Sequence, residues 1–220
     1  WVTGADGFIG SHLCEKITNF TKLDESFRPY EYDGQKPEAV FHLGAISATT
    51  ATDTRELALY NILSSCRMLE WCVENKVPFV YASSASVYGD AVQVPMTEDH
   101  PFNNKNFYGA TKIAGEAMCT AYNDRYGLEI IGLRYMNVYG PGQDQHAAYS
   151  GVVPVVLNKI DKNESPTVNG DGSQAYDFIY VEDVARSNID AAKSDIKLGY
   201  YNVGTELQTS IKELCNTILK

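Results

Sequence analysis

Short apolar runs alternate along the chain with longer stretches in which apolar positions recur every three or four residues. The runs predict buried strands at residues 1–3, 39–43, 77–82 and 129–133. The helical spacing predicts helices at residues 11–17, 60–72, 108–126, 152–162, 181–192 and 210–219. Because strands that alternate with helices of this length form parallel βαβ units, the pattern predicts an α/β fold.

Two stretches depart from this alternation. A doubly wound sheet usually places two further strands with their helices before the strand at 39–43, yet only about thirty residues are available there. We therefore expect the segment at residues 18–38 to be shorter than in other doubly wound sheets, or its numbering to run across residues that are missing from the sequence. Beyond Gly140, glycine, proline and aspartate become frequent, which indicates a second region of different architecture.

Composition narrows the classes of function. Of the 220 residues 44% are hydrophobic, which is enough to bury a sizeable core. The 18 Lys and Arg against 28 Asp and Glu give a formal charge of −10, which argues against a broad contact with nucleic acid or an anionic membrane. We expect neither a membrane span, which needs ~18 apolar residues, nor an export leader. The five cysteines form no C-x-x-C pair, so we expect reduced thiols and a cytoplasmic protein.

The first strand runs into a turn with three glycines, Gly4, Gly7 and Gly10, and then into a helix. The first glycine permits a tight turn, the second permits backbone to approach a pyrophosphate, and the third permits close helix packing. The spacing alone is equally typical of a plain glycine-rich turn, but its place between the first strand and helix favours a dinucleotide. The acidic residue that would distinguish NAD from NADP falls in the shortened stretch, so both cofactors stay open.

Tyr108 and Lys112 lie four residues apart, on one face of a predicted helix. A tyrosine phenol has a pKa of ~10, and an adjacent cation lowers that pKa toward neutrality, which suits a general acid/base. Such pairs also occur as ordinary surface pairs, but Ser83, Ser84 and Ser86 lie at the end of a buried strand, where ligands bind. For Ser83 and Ser86, capping of a turn remains an alternative.

Five motifs resemble, in order along nearly the whole chain, those of the extended short-chain dehydrogenase/reductase family. One is the catalytic set, matched by Ser84 with Tyr108 and Lys112. The other matching segments are residues 3–10 (TGADGFIG, as in T-G-x-x-G-F-I-G), 41–45 (FHLGA, a cofactor-contacting strand end), 134–141 (RYMNVYGP, as in R-x-x-N-x-Y-G-P) and 171–184 (a nucleotide-sugar-binding stretch).

The resemblance implies a Rossmann-type doubly wound parallel sheet with a smaller, incomplete C-terminal substrate-binding domain. It implies a dinucleotide-binding domain at residues 1–145 and a partial substrate-binding region at 146–220, some of whose elements return to the first domain. It also implies bound NAD, with NADP still open, and a nucleotide-sugar substrate. The expected assembly is a homodimer through paired helices, including the helix that carries Tyr108.

The same resemblance assigns three sets of site residues. The catalytic residues are Ser84, Tyr108 and Lys112. The cofactor-binding residues are Gly4, Asp6, Gly7, Phe8, Ile9, Gly10, Leu43, Gly44, Ala45, Ser83, Tyr108, Lys112 and Tyr135. The substrate-binding residues are Ser84, Ala85, Ser86, Tyr108, Asn137, Tyr149 and Val153. We expect His42 to pack near the cofactor, and we expect no metal because the histidines lack metal-ligand spacing.

The residues after Ser84 discriminate between reactions within the family. Sugar 4,6-dehydratases carry Asp-Glu there to move protons at C5 and C6, whereas this chain carries Ala85 and Ser86. This difference favours epimerisation, or reduction at a single carbinol, over dehydration. Residues 143–154 resemble those of UDP-hexose and UDP-N-acetylhexosamine 4-epimerases.

A second set of segments, residues 48–50 and 78–84, instead resembles ADP-heptose 6-epimerases. Those enzymes use a lysine after the Y-G-P segment, and this chain has none between Pro141 and Leu157. The heptose enzyme is therefore the alternative, together with a nucleotide-sugar reductase or decarboxylase and a non-enzymatic dinucleotide-binding sensor.

The sequence thus predicts C4 epimerisation of a UDP-linked sugar by transient oxidation with bound NAD. Tyr108 as phenolate takes the sugar hydroxyl proton while hydride leaves the same carbon, and Ser84 hydrogen-bonds the oxygen. Lys112 holds the cofactor ribose and lowers the pKa of Tyr108. Tyr176 stands where many relatives have an arginine for the diphosphate, which leaves one expected phosphate contact unassigned.

Overall fold

The computed structural model describes residues 1–23, 34–144 and 151–219. Its strands are β1 (Val2–Thr3), β2 (Lys22–Leu23), β3 (Val40–His42), β4 (Phe79–Ser84), β5 (Ile130–Tyr135), β6 (Asn137–Tyr139), β7 (Ala175–Tyr176), β8 (Phe178–Tyr180), β9 (Leu198–Val203) and β10 (Thr209–Ser210). Its α-helices are α1 (Phe8–Lys16), α2 (Thr54–Leu57), α3 (Ser64–Asn75), α4 (Phe107–Tyr126), α5 (Val152–Asp161), α6 (Val181–Ala192) and α7 (Ile211–Ile218).

Six of these strands form one sheet in the order β2-β1-β3-β4-β5-β9, and all neighbours pair in parallel. The chain passes from β1 outward to β2 and then returns to β3 on the other side of β1. In a doubly wound sheet this reversal opens a crevice at the carboxyl ends of the two strands. The predicted Rossmann-type sheet is confirmed, and the turn from Gly4 to Gly10, here called the glycine turn, lies at that crevice.

The two faces of the sheet are covered by different helices, because successive side chains of a strand point to opposite faces. One face packs against α3 and α4 through Trp1, Val40, Phe79, Tyr81 and Ile130. The other face packs against α1 and α6 through Val2, Phe41, Val80, Ala82 and Ile131. Helix α4, which carries Tyr108 and Lys112, is therefore held against the sheet by buried apolar area.

Local sequence sets both ends of α4. The Asn106 side chain accepts a hydrogen bond from the Gly109 amide at 2.7 Å and so caps the first turn. The helix ends at Gly127, whose φ of 67° lies in the left-handed region.

The C-terminal part contains a second, smaller core. Helices α5 and α7 pack through Val156, Ile211 and Cys215, and two-stranded sheets form between β6 and β8 and between β7 and β10. Helix α6 instead packs against the main sheet, and strand β9 pairs with β5 within it. The division at residue 145, with some later elements returning to the first domain, stays a prediction.

The structure departs from the sequence pattern in several elements. Strand β4 ends at Ser84 rather than at residue 82, so Ser84 is its last residue. The helical pattern at 60–72 falls on a wider π-helical turn, Ala58–Leu63, and on α3, and α2 precedes it as an additional helical turn. The pattern does not predict β9, because this edge strand has partly exposed tyrosines and is defined by its pairing with β5.

The expectation for residues 18–38 concerns a segment of which 24–33 lie outside the described residues. Within the described part, Lys22 and Leu23 form β2, parallel to β1.

Two glycines with the same backbone conformation provide a test of the crevice. At Gly4 (φ 65°) a Cβ atom would lie 2.8 Å from the Gly44 nitrogen, whereas at Gly127 (φ 67°) it would meet nothing within 4 Å. We expect Gly127→Ala to cost about 1 kcal/mol of unfolding free energy, through the left-handed backbone alone. Gly4→Ala should cost a further ~1–3 kcal/mol, because the clash involves backbone. Urea unfolding measures both, and equal losses would contradict the close approach of β1 and β3.

Candidate functional site

The glycine turn is packed too tightly for side chains. The Gly7 amide donates to the Gly4 carbonyl at 3.0 Å, and a Cβ at Gly10 would lie 2.0 Å from that carbonyl oxygen. Helix α1 begins directly after Gly7, and no side chain of the described residues caps its first turn. Such a helix start presents backbone amides to an anion.

The remaining turn residues assigned to the cofactor lie on or beside α1. Asp6 is exposed and pairs with Lys22, with 2.6 Å between Oδ1 and Nζ. The Phe8 ring meets the His12 ring edge-on, and Ile9 packs against the apolar core below α1. His12 in turn lies 2.8 Å from the Pro141 carbonyl, which ties α1 to the Y-G-P segment.

The end of β3 is fixed by hydrogen bonds through His42. The Gly44 amide donates to Thr3 Oγ1 at 3.0 Å, and Thr3 Oγ1 lies 3.0 Å from His42 Nδ1. His42 Nε2 lies 2.9 Å from Ser65 Oγ, and Ser65 donates its own proton to the Asn61 carbonyl. Ser65 therefore accepts from Nε2, which leaves Nδ1 to accept from Thr3. His42 is neutral and structural, and its bonds hold Gly44 against the glycine turn.

Asn61 is a residue that the sequence analysis missed. It lies in the π-helical turn with 2% exposure. Its side chain accepts from the Ile46 amide and donates to the Ile46 carbonyl and to Thr111 Oγ1, all at 2.8–3.0 Å. It thus connects the loop after β3 to the first turn of α4. The available signal is a polar residue within an apolar helical pattern, at a place where helices widen at functional sites.

The end of β4 brings the serines to the same edge of the sheet. Ser84 Oγ accepts from the Ser86 amide at 3.1 Å and lies 3.1 Å from Ser86 Oγ, at the start of a 3₁₀ turn, Ala85–Val87. Ser83 points away into the protein, where it donates to Glu116. The structure therefore separates the two neighbours: Ser84 faces Tyr108, and Ser83 is buried.

Tyr108 and Lys112 project from α4 toward this edge and are both buried. Burial raises the pKa of the Tyr108 phenol, while a hydrogen bond with Ser84 acts in the opposite direction. Burial lowers the pKa of Lys112 to about 8. The Lys112 ammonium donates to the Ala82 carbonyl at 2.8 Å and lies 5.7 Å from the centre of the Tyr108 ring.

This geometry corrects one expectation. Lys112 was expected to lower the pKa of Tyr108, but without a cofactor in the site that pKa is raised. The physical reason is desolvation: a phenolate inside the protein loses its hydration, and Lys112 is directed at the Ala82 carbonyl. A phenolate at Tyr108 needs additional positive charge in the site.

A buried ion pair lies behind the serines. Arg134 donates to both carboxylate oxygens of Glu116, at 2.9 and 2.7 Å, and both side chains are about 95% buried. Arg134 also donates to the Tyr88 hydroxyl at 2.8 Å and to the Glu98 carbonyl at 2.9 Å. The pair joins β4, α4, β5 and the loop after β4. Glu116 was not assigned from the sequence, although it continues the four-residue spacing of Tyr108 and Lys112.

The other assigned residues lie in different surroundings. Tyr135 is buried at the end of β5, and its hydroxyl donates to Asn188 at 2.8 Å. Burial raises the pKa of Tyr135, so it stays a neutral core residue. The Asn137 side chain donates to the Asp177 carbonyl, as expected for a residue that satisfies a turn. Val153 is half-buried in α5, and Tyr149 lies outside the described residues.

Asp177 organises a loop near this region. Its carboxylate accepts from the amides of Thr205 and Glu206 at 2.9 Å and from the Thr205 hydroxyl at 2.6 Å. Tyr176, beside it, is 46% exposed, and its ring meets that of Phe178 edge-on. Tyr176 carries no charge for a phosphate.

Two further kinds of site are absent from the part of the chain that the structure describes. It contains no group of three His, Cys, Asp or Glu residues arranged to hold a metal ion. None of its helices has both the length and the apolar character needed to cross a bilayer.

A parallel sheet with a glycine turn at its reversal point, and with Ser84, Tyr108 and Lys112 at the same edge, defines a dinucleotide-binding enzyme of the short-chain dehydrogenase type. The family model described as "NAD dependent epimerase/dehydratase family" matches residues 24–204. The chain belongs to this family.

The comparisons include both candidate epimerases. The chain is 34% identical to a putative UDP-glucose 4-epimerase of Methanocaldococcus jannaschii, over 99% of this chain and 80% of the relative. It is 30% identical to an ADP-L-glycero-D-manno-heptose-6-epimerase of Alkalilimnicola ehrlichii, over 99% and 79%. Among solved structures, a UDP-N-acetylglucosamine 4-epimerase from Methanobrevibacter ruminantium superimposes with a TM-score of 0.89 at 30% identity, over 99% of this chain and 79% of that one.

The neutral, buried His42 predicts an acid-sensitive step in stability. Burial lowers its pKa from 6.5 to about 3, so below pH 6.5 the unfolded chain binds a proton that the folded protein does not. The unfolding free energy should therefore fall by up to about 1.4 kcal/mol for each pH unit between 6.5 and 3. We expect His42→Gln to be less stable at neutral pH but to lack this pH dependence of the unfolding free energy, because glutamine does not titrate. Urea unfolding from pH 7.5 to 4.5 should show the gap between the two proteins narrowing, and parallel curves would contradict the assignment.

Proposed function

We propose that this protein interconverts the C4 epimers of a UDP-hexose or UDP-N-acetylhexosamine by transient oxidation with bound NAD. The observation that carries the proposal is the convergence of Ser84, Tyr108 and Lys112 at the carboxyl edge of the sheet, beside the glycine turn. The similarity to two sugar-nucleotide 4-epimerases supports the same reaction.

The residues present fit a dinucleotide. An added Cβ would clash with backbone at Gly4 and Gly10 and would be in tight contact at Gly7 and Gly44. A turn without side chains at these positions exposes backbone that a dinucleotide can approach. Gly4, Gly7 and Gly10, with the start of α1, would hold the pyrophosphate, flanked by Asp6, Phe8 and Ile9. Leu43, Gly44 and Ala45 would line the opposite side of the crevice. Ser83 and Tyr135 would act through their backbone, since their side chains are bonded inside the core.

Within this site the chain's own residues move and hold the proton. Tyr108 takes the proton of the C4 hydroxyl, and Ser84 donates a hydrogen bond to the same oxygen as it becomes a ketone. Lys112 supplies the positive charge next to the phenol. Bound NAD⁺ would supply the hydride acceptor and donor for C4 and a positive charge that favours the phenolate, which burial disfavours. When the ketone is reduced on its other face, Tyr108 returns the proton to the C4 oxygen.

The residues after Ser84 bear on the choice of reaction. Ala85 and Ser86 form the 3₁₀ turn next to the catalytic serine, so neither position carries a carboxyl group for elimination. This supports epimerisation over dehydration. Substrate contacts are proposed for Ser84, Ala85 and Ser86, and for Asn137, Tyr149 and Val153 from the C-terminal half.

The second candidate is 6-epimerisation of an ADP-heptose. It is favoured by the similarity to the heptose epimerase, and disfavoured by the lack of lysine between Pro141 and Leu157.

We also propose a cytoplasmic homodimer that pairs through helices including α4. Exposed apolar residues Leu59, Leu63 and Phe107, near the start of α4, support such an interface.

The assay follows from the recycling of the cofactor. We expect purified protein to convert UDP-glucose into UDP-galactose, or their N-acetyl counterparts into each other, without added NAD, as resolved by proton NMR. Conversion of ADP-heptose alone would favour the second candidate. If NAD is retained but none of these sugars reacts, the proposed substrate class is wrong.

Removal of the Tyr108 hydroxyl alone, by substitution with phenylalanine, tests its role as the proton acceptor. Tyr108→Phe should lower kcat at least ~100-fold, because the proton acceptor is gone, while retaining bound NAD. Tyr122→Phe is the matched control, because its hydroxyl lies on the same helix but points toward Glu70, 3.5 Å away. NAD content by absorbance and turnover by NMR are measured on both. A Tyr108→Phe protein of wild-type activity would end the proposed mechanism.

A further inference from the structure

Within the described residues, Lys112 is a buried cation with no anion in ion-pair contact. Its side chain is 4% exposed, and its one hydrogen bond in the described structure goes to the Ala82 carbonyl. The nearest acid on the same helix face, Glu116, is bonded to Arg134 through both oxygens. Because transfer of an ammonium out of water is costly, some other feature must offset part of that cost.

Two aromatic rings face the ammonium. The Tyr81 ring centre lies 5.1 Å from Nζ, and the Tyr108 ring centre lies 5.7 Å away. A ring face within about 6 Å attracts a cation, and the attraction is strongest where water is absent. Tyr108 changes its own charge in the proposed reaction, so Tyr81 is the constant neighbour.

The surroundings of Tyr81 hold its ring in one place. It lies within β4 with 0% exposure, parallel to the rings of Phe79 and His42. Its hydroxyl contacts the helix at Gly115, where a Cβ would lie 2.0 Å from the oxygen. That hydroxyl is also buried without a hydrogen-bond partner in the described structure. Because the Tyr81 hydroxyl makes no hydrogen bond among the described residues, the contact between Tyr81 and Lys112 is made by the ring face.

We propose that Tyr81 is a positioning residue whose ring holds the protonated ammonium of Lys112 beside Tyr108. The catalytic consequence rests on the proposed function, but the effect on Lys112 does not. An electron-rich ring in place of a carboxylate stabilises the cation without neutralising the charge that the phenolate requires.

The other titratable groups around Lys112 are few. Cys119 and Glu116 on α4 act to raise its pKa, less strongly than burial lowers it. From β3, His42 is neutral, and from β4, Tyr81 is neutral because burial raises its pKa. Of the groups that the structure describes, Tyr108 on α4 also faces the ammonium, and its pKa is raised. The main force that would deprotonate Lys112 is therefore desolvation, which the rings oppose.

The Lys112 pKa is measured by NMR titration of lysine side chains labelled with ¹³C at Cε, in the wild type and in three variants at positions 79 and 81. A fourth variant, Lys112→Arg, identifies the Lys112 signal by its loss. Tyr81→Leu should lower the Lys112 pKa by about 1, a tenfold change in protonation, while Tyr81→Phe should leave it nearly unchanged. Phe79→Leu is the matched control, because it removes a neighbouring buried ring from the same face of β4.

Several outcomes would overturn the inference: no change in Tyr81→Leu, an equal change in Tyr81→Phe, or an equal change in Phe79→Leu. If Tyr81→Leu does not fold, fluorinated phenylalanines at position 81 keep the shape and weaken the ring face stepwise. The Lys112 pKa should then fall stepwise with fluorination, and a constant pKa would overturn the proposal.

The catalytic consequence is measured separately. If Lys112 must be protonated, kcat/KM falls as pH rises through its pKa, so in Tyr81→Leu this fall should occur at lower pH than in wild type. If the wild-type protein shows no epimerase activity while the titration behaves as expected, the proposed function fails and the inference about Tyr81 stands.

Discussion

The burial of a charged lysine between β4 and α4 is the constraint on which the site depends. The partners of the Lys112 ammonium in the described residues are a carbonyl, to which it donates a hydrogen bond, and two aromatic ring faces. Those partners come from β4 and from α4, so the packing of the helix on the strand is also the assembly of the site. Burial lowers the pKa of Lys112 but raises the pKa of Tyr108, which keeps the phenol protonated until further positive charge enters.

Two polar clusters keep that packing in register. Glu116 and Arg134 join α4 to β5 and, through Ser83, to the strand that ends in Ser84. Asn61 joins the N-terminal part of α4, at Thr111, to the loop after β3, whose Gly44 faces the glycine turn. Breaking a buried ion pair costs ~3–5 kcal/mol, whereas an exposed pair such as Lys197 with Glu129 contributes under about 1 kcal/mol.

The sequence was sufficient for the βαβ order, the glycine turn and the edge where Ser84, Tyr108 and Lys112 meet, because each follows from short-range spacing. It was insufficient for β9, which is defined by pairing with a distant strand, and for Asn61 and Glu116, whose partners lie far along the chain. It also gave the wrong direction for the pKa of Tyr108. Desolvation depends on the depth of packing, which spacing on one helix does not encode.

The fate of the hydrogen at C4 tests transient oxidation most directly. A UDP-hexose that the protein turns over is prepared with deuterium at C4 and incubated without added NAD, and the product is examined by NMR. Transient oxidation at C4 predicts that the C4 epimer keeps its deuterium at C4, because the hydride leaves and returns within one site. Loss of deuterium to solvent, or its appearance at C6, would contradict this mechanism.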